Sequence, residues 1–188
     1  DSTGAMSSSR VRMGSLLGAV VGAFIAWGVG ETPLVKVAPA QSKLKVMGQE
    51  TETMASTPEA IREAELSSAS RRLGIAGAMI GLGMGVASGL VGRGRSAAIS
   101  AGLVGLVLGG VVGAIAPLGS MPLYEAIRTP GKQDLMPVLL MHLALWAPIG
   151  AVAGLVFGMG RWSKAGPVLT SAMTGAMGGA LGAVIFQM

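Results

Sequence analysis

Few side chains in this sequence could do chemistry, and their placement limits what that chemistry is. His142 is the only histidine, and Trp146 follows it by one helical turn. It stands in a long apolar run, where an apolar surround favours the neutral imidazole. A neutral imidazole can ligate the metal of a haem or chlorophyll, but a bis-histidine haem within this chain is impossible. The more ordinary reading is a histidine hydrogen-bonded to a neighbouring backbone or side-chain group. Arg93, Arg95, Arg161 and Lys164 cluster in two short links between apolar runs, with Trp162 beside Arg161. Basic residues so placed bind lipid phosphates or partner groups, and they also serve as topology signals.

The rest of the catalytic repertoire is missing. There are no cysteines, which removes disulfides and thiolate metal sites. No paired carboxylate, serine–histidine–acid set or zinc motif is present. Gly81-Leu82-Gly83-Met84-Gly85 has the look of a nucleotide loop, but it lies inside an apolar run with no strand before it. No cofactor is required by the sequence. The expectation is a protein that is not an enzyme.

The elements that must position these residues are membrane spans. Of 188 residues, 51% are hydrophobic, 12% charged and 31 are glycine. Mean hydropathy is +0.65. This composition excludes a disordered chain and indicates an all-α integral membrane protein. The net charge of +5 does not signal nucleic-acid binding, because the basic residues flank apolar segments and only 4% of residues are aromatic. Five spans are expected. A polar basic tail over 1–12 precedes span one at 13–30. A signal peptide is the rival reading of that run, but it is longer than a usual apolar core and no convincing cleavage site follows. Spans two and three lie at 73–92 and 97–119, forming hairpin A (73–119). Spans four and five lie at 135–160 and 165–186, forming hairpin B (135–188).

Between these runs lie two polar regions. Residues 31–72 carry six acids and six bases, too little apolar material for a core of their own. Thr57-Pro58-Glu59 reads as a helix start, so the segment should be helical from about 58. Its earlier part is expected to lie extended on a partner. Residues 120–134 read as an interfacial connector, with 123–128 as a short surface helix.

The two hairpins resemble each other. An ungapped shift of 69 residues pairs Gly81, Gly85 and Gly89 with Gly150, Gly154 and Gly158, and Gly109 and Gly113 with Gly178 and Gly182. Duplication of a two-span unit is the expectation, with both copies in the same orientation. Glycines recur four apart: Gly14, Gly18 and Gly22; Gly77, Gly81, Gly85 and Gly89; Gly105, Gly109 and Gly113; Gly150, Gly154 and Gly158; and, in span five, both Gly175 and Gly179 and Gly178 and Gly182. That spacing lines one helix face, and in lipid small residues let helix backbones approach. The expected function is a non-catalytic structural or assembly subunit of a larger integral membrane complex, with other membrane subunits and lipids as partners. A small channel or transporter is the alternative, and a cofactor-binding subunit using His142 the third. The tail and the tight basic links share one side, and the positive-inside rule places them in the cytoplasm.

Overall fold

The computed structural model describes residues 2–30, 32, 36–46, 49–129 and 135–187. Five helices dominate: α1 (Ser2–Gly30), α2 (Pro58–Gly92), α3 (Arg95–Ile127), α4 (Leu135–Arg161) and α5 (Ala165–Phe186). Among the described residues, α2 to α5 are the helices long and apolar enough to cross a membrane. In α1 the apolar stretch is shorter, Leu16–Val29, and the helix runs back through the tail to Ser2.

The start of α2 follows from capping chemistry. Thr57 sits in extended backbone and its hydroxyl accepts from the Ala60 N–H, with Pro58 at the first helical position and Glu59 in the first turn. Satisfying an orphan donor there is worth about 1 kcal/mol. From Pro58 the helix runs 35 residues without a break.

Two expectations need correcting. The polar segment is not helical and extended chain alone. It carries an antiparallel pair of strands, β1 (Gln41–Val46) and β2 (Gln49–Ser56), with Gln41 opposite Ser56 and Val46 opposite Gln49. The cause is a period of two in Lys43-Leu44-Lys45-Val46 and Glu50-Thr51-Glu52-Thr53, which suits a strand. Span three does not stop at 119. Helix α3 continues to Ile127 despite Pro117 and Pro122, so 123–127 is the end of a long helix rather than a separate surface helix. Pro117 and Ser120 are buried, and Glu125 pairs with Arg62 of α2, so tertiary contact holds the extension against the prolines. The remainder of the expected connector, 130–134, lies outside the described residues.

The stretch before the strands has a contact within the chain. The Val37 N–H donates to Ser68 Oγ at 2.9 Å, and Lys36, Val37 and Pro39 line a groove with Ile61, Glu65 and Ser68 of α2. This stretch therefore rests on the chain's own α2.

The helices pack as two antiparallel pairs, α2 on α3 and α4 on α5. Helix α4 also contacts α2 and α3, while α1 packs along α2. Helix α5 meets α4 alone to any extent. The polar ends of α2 and α3 pack beyond their apolar parts, closed by the Arg62–Glu125 ion pair.

Candidate functional site

Glycine sets the distance between the helices of each pair. A methyl group at Gly77 would strike the Gly109 carbonyl, one at Gly81 the Gly105 carbonyl, and one at Gly85 the Ala101 carbonyl. At Gly89 it would strike the Ala98 backbone, and at Gly113 the Leu73 carbonyl. Backbone faces backbone over five successive turns, with no side chain between.

Hairpin B is built the same way with a different set of residues. Gly150 meets Gly175, Gly154 meets Ser171, and Gly158 meets Val168. Gly179 meets the Trp146 carbonyl. Gly178 and Gly182, the two α5 glycines matched by the 69-residue shift, have nothing within 4 Å of an added methyl. They lie on the exposed face of α5. The packing glycines of α5 are thus Gly175 and Gly179.

A length difference in the links explains this. Two residues, Arg93 and Gly94, separate α2 from α3, whereas three, Trp162 to Lys164, separate α4 from α5. Gly94 has φ +98° and ψ −170°, a region open to essentially glycine alone, which permits the tighter turn. With one more residue in its link, α5 matches α3 at a shift of 70. Gly105 then corresponds to Gly175, Gly109 to Gly179, and Gly113 to the buried Ala183.

Helix α1 meets α2 through the same device. Gly18 lies against the Gly83 carbonyl, Gly22 against the Met79 carbonyl, and Gly14 against Val91. These contacts descend α2 as α1 ascends, so the two are antiparallel and the start of α1 lies at the link end.

The basic residues gather at that end. Gly92 approaches the Arg161 backbone, a methyl there falling 2.9 Å from its Cα, and this draws the two links together. Arg93 donates to the Met159 carbonyl at 3.4 Å, and the Arg161 guanidinium stands 5.1 Å from the Trp162 ring centre. Arg93, Arg161, Trp162 and Lys164 share one pocket with Ser163 and Pro167. Arg95 opens α3 and does not line it.

His142 is hydrogen-bonded within the chain. Its Nδ1 lies 2.8 Å from the Val138 carbonyl, and the Gln187 side-chain nitrogen lies 3.0 Å from Nδ1 and 3.4 Å from Nε2. With the Nδ1 proton donated to Val138, Nε2 is the ring nitrogen left to accept from the amide. His142 also edges an apolar cavity of about 500 Å³ with Leu73, Trp146 and Gly182. Among the described residues, no group of three or more histidine, cysteine or acidic side chains is placed to hold a metal ion. Three hydroxyls within the spans turn back on their own helices, Ser88 to Gly85, Thr170 to Gly166, and Thr174 to Thr170, whereas the buried Ser120 Oγ of α3 has no hydrogen-bond partner among the described residues.

Sequence reasoning missed the exposed face of α5. Its small residues Gly166, Thr170, Thr174, Gly178 and Gly182 recur four apart and all are exposed. The spacing was visible in the sequence. Which of two overlapping small-residue lines packs inward depends on the link length. Comparison of the chain with known families, curated proteins and solved structures finds no match.

Proposed function

We propose that this chain is a non-catalytic packing subunit of a larger integral membrane assembly. The observation that carries the reading is the open pair Gly178 and Gly182 on α5. In lipid, small residues gain nothing by facing acyl chains, whereas against another helix they allow close backbone approach. Helix α5 already uses Ser171, Gly175 and Gly179 against α4, and a second small line on its other face suits a further helix from a partner subunit.

Three finer points belong to the same reading. The glycine lines act as packing ridges. The two hairpins descend from one duplicated unit, with one residue inserted in the second link, and the contact pairs above support this. Helix α1 forms a fifth span, since its glycines meet α2 beside Met79 and Gly83, within the apolar part of that helix. Its start then shares the cytoplasmic side with the basic links.

The test is purification from the native membrane in mild detergent, with the size of the assembly read on a native gel. Gly178→Leu/Gly182→Leu should leave the chain folded, since both positions are open, and should release it from its partners. An unchanged assembly in that variant, or a wild-type chain that migrates alone, would overturn the reading. Visible absorbance travelling with the chain would favour a cofactor at His142 instead.

A further inference from the structure

The basic pocket at the link end does not stand alone. Arg93, Arg161 and Lys164 line a recess of about 410 Å³ together with Trp162, Ser163 and Pro167. Trp162 and Pro167 also line a second, larger groove of about 710 Å³. That groove runs down between α4 and α5, bordered by Met84 of α2, with Ala153, Phe157 and Thr174 on its walls. Its apolar character is reinforced by Thr170 and Thr174, whose hydroxyls are spent on their own helix carbonyls. Phe157 meets the Trp162 ring edge-on at 6.2 Å, so the aromatic pair forms the step between recess and groove.

We infer that this composite site holds one anionic phospholipid, its phosphate among Arg93, Arg161 and Lys164 and an acyl chain in the groove. No acidic residue stands between 66 and 124 or after Asp134 in the chain, so the elements that bear these cations supply no counter-ion. From Pro167 to Gly175 the groove follows α5 for about 12 Å, close to the ~15 Å depth of one leaflet's hydrocarbon. The site takes the Pro167–Gly175 end of α5 and leaves Gly178 and Gly182 to the partner helix proposed above.

The test uses the full chain in mild detergent and native mass spectrometry with dioleoyl phosphatidylglycerol or dioleoyl phosphatidylcholine added. The phosphatidylglycerol adduct should survive activation that strips phosphatidylcholine. Arg93→Gln and Lys164→Gln should each lower its occupancy about five-fold, as expected for one basic residue at an anionic lipid surface. Ala153→Phe or Thr174→Leu should lower it by filling the groove with all charges intact. Thr174 is exposed, so that variant keeps its fold. In vesicles, brominated acyl chains on phosphatidylglycerol should quench Trp162 in a Trp27→Phe/Trp146→Phe background more than the same chains on phosphatidylcholine. Equal retention of both lipids would overturn the inference, as would full occupancy in Arg93→Gln/Lys164→Gln. Displacement by millimolar inorganic phosphate, or indifference to both groove variants, would show a headgroup-sized anion site and overturn the lipid assignment.

Discussion

Gly81→Ala is the sharpest perturbation available, because the contact it breaks is reciprocal. A methyl at Gly81 would overlap the Gly105 oxygen and lie 2.7 Å from its carbonyl carbon, where ordinary contact begins at 3.4 Å. The carbonyl belongs to a helix backbone and cannot rotate aside, so α2 and α3 must separate at that point by about 0.8 Å for the oxygen to reach the closest contact that methyls tolerate, 3.0 Å. Eight small residues face each other along this seam, from Gly77 to Gly89 and from Ala98 to Gly109. Taking about 20 close atom pairs for each of the four facing residue pairs, each atom pair worth ~0.15 kcal/mol, the seam holds ~12 kcal/mol of dispersion energy. A gap of that width forfeits about a quarter of it, or ~3 kcal/mol. This is the upper end of what overpacking usually costs. The assay is reversible unfolding in mixed micelles, with Gly178→Ala as the control, since its methyl meets nothing and should change stability by no more than about 1 kcal/mol. The Gly81→Ala/Gly105→Ala double variant should cost at least about 1 kcal/mol less than the two singles together, because one separation relieves both clashes. Equal stability of Gly81→Ala and Gly178→Ala, or strict additivity in the cycle, would refute backbone contact as the determinant of the seam.

Further expectations follow from other parts of the fold. Gly94→Ala should destabilise hairpin A by about 1–3 kcal/mol, and Gly94→Asn should not rescue it, because ψ −170° at positive φ suits neither side chain; micelle unfolding reads both. Thr57→Ala should cost about 1 kcal/mol locally, seen as faster amide exchange at Ala60 and Ile61 with the spans unaffected. The Arg62–Glu125 pair is about half exposed at 51% and 40%, so Arg62→Ala should cost no more than about 1 kcal/mol, and less in high salt. Gly160→Ala should weaken packing between the hairpins, since its methyl would strike Ser88 Oγ and lie 2.7 Å from the Gly89 nitrogen; crosslinking between α2 and α4 should fall while each hairpin stays closed.

The four long spans were legible because uninterrupted apolar runs and basic links leave little alternative in their stretches. The start of α2 was legible from Thr57 and Pro58, whose roles are local. The strand pair was overlooked because charge balance drew the eye from the alternation at 43–46 and 50–53. The continuation of α3 to Ile127 could not be read locally, since Pro117 and Pro122 argue for an end and the α2 surface that outweighs them is distant in sequence. The same limit applies to the site. Four-residue glycine spacing marks a small face but not its direction, and in α5 two such faces compete. One residue in the turn at 162–164 decides between Gly175 and Gly178, and an ungapped comparison carries that residue into the wrong register. The joining of Arg93 with Arg161 and Lys164 likewise depends on Gly92 meeting Arg161, a contact between hairpins.

The polar halves of α2 and α3 have a geometric consequence. Residues 58–72 of α2 add about 22 Å beyond the apolar part of that helix at 1.5 Å per residue. Helix α3 follows them as far as Ile127, and the Arg62–Glu125 pair ties the two together near the top. Helices α4 and α5, at 27 and 22 residues, have no comparable extension. The molecule therefore raises a two-helix mast on one side of the bilayer and leaves the other hairpin flush. A soluble partner gripping the tip of that mast would be held about two nanometres above the apolar layer, and any force applied there would act on the α2–α3 seam through a lever arm.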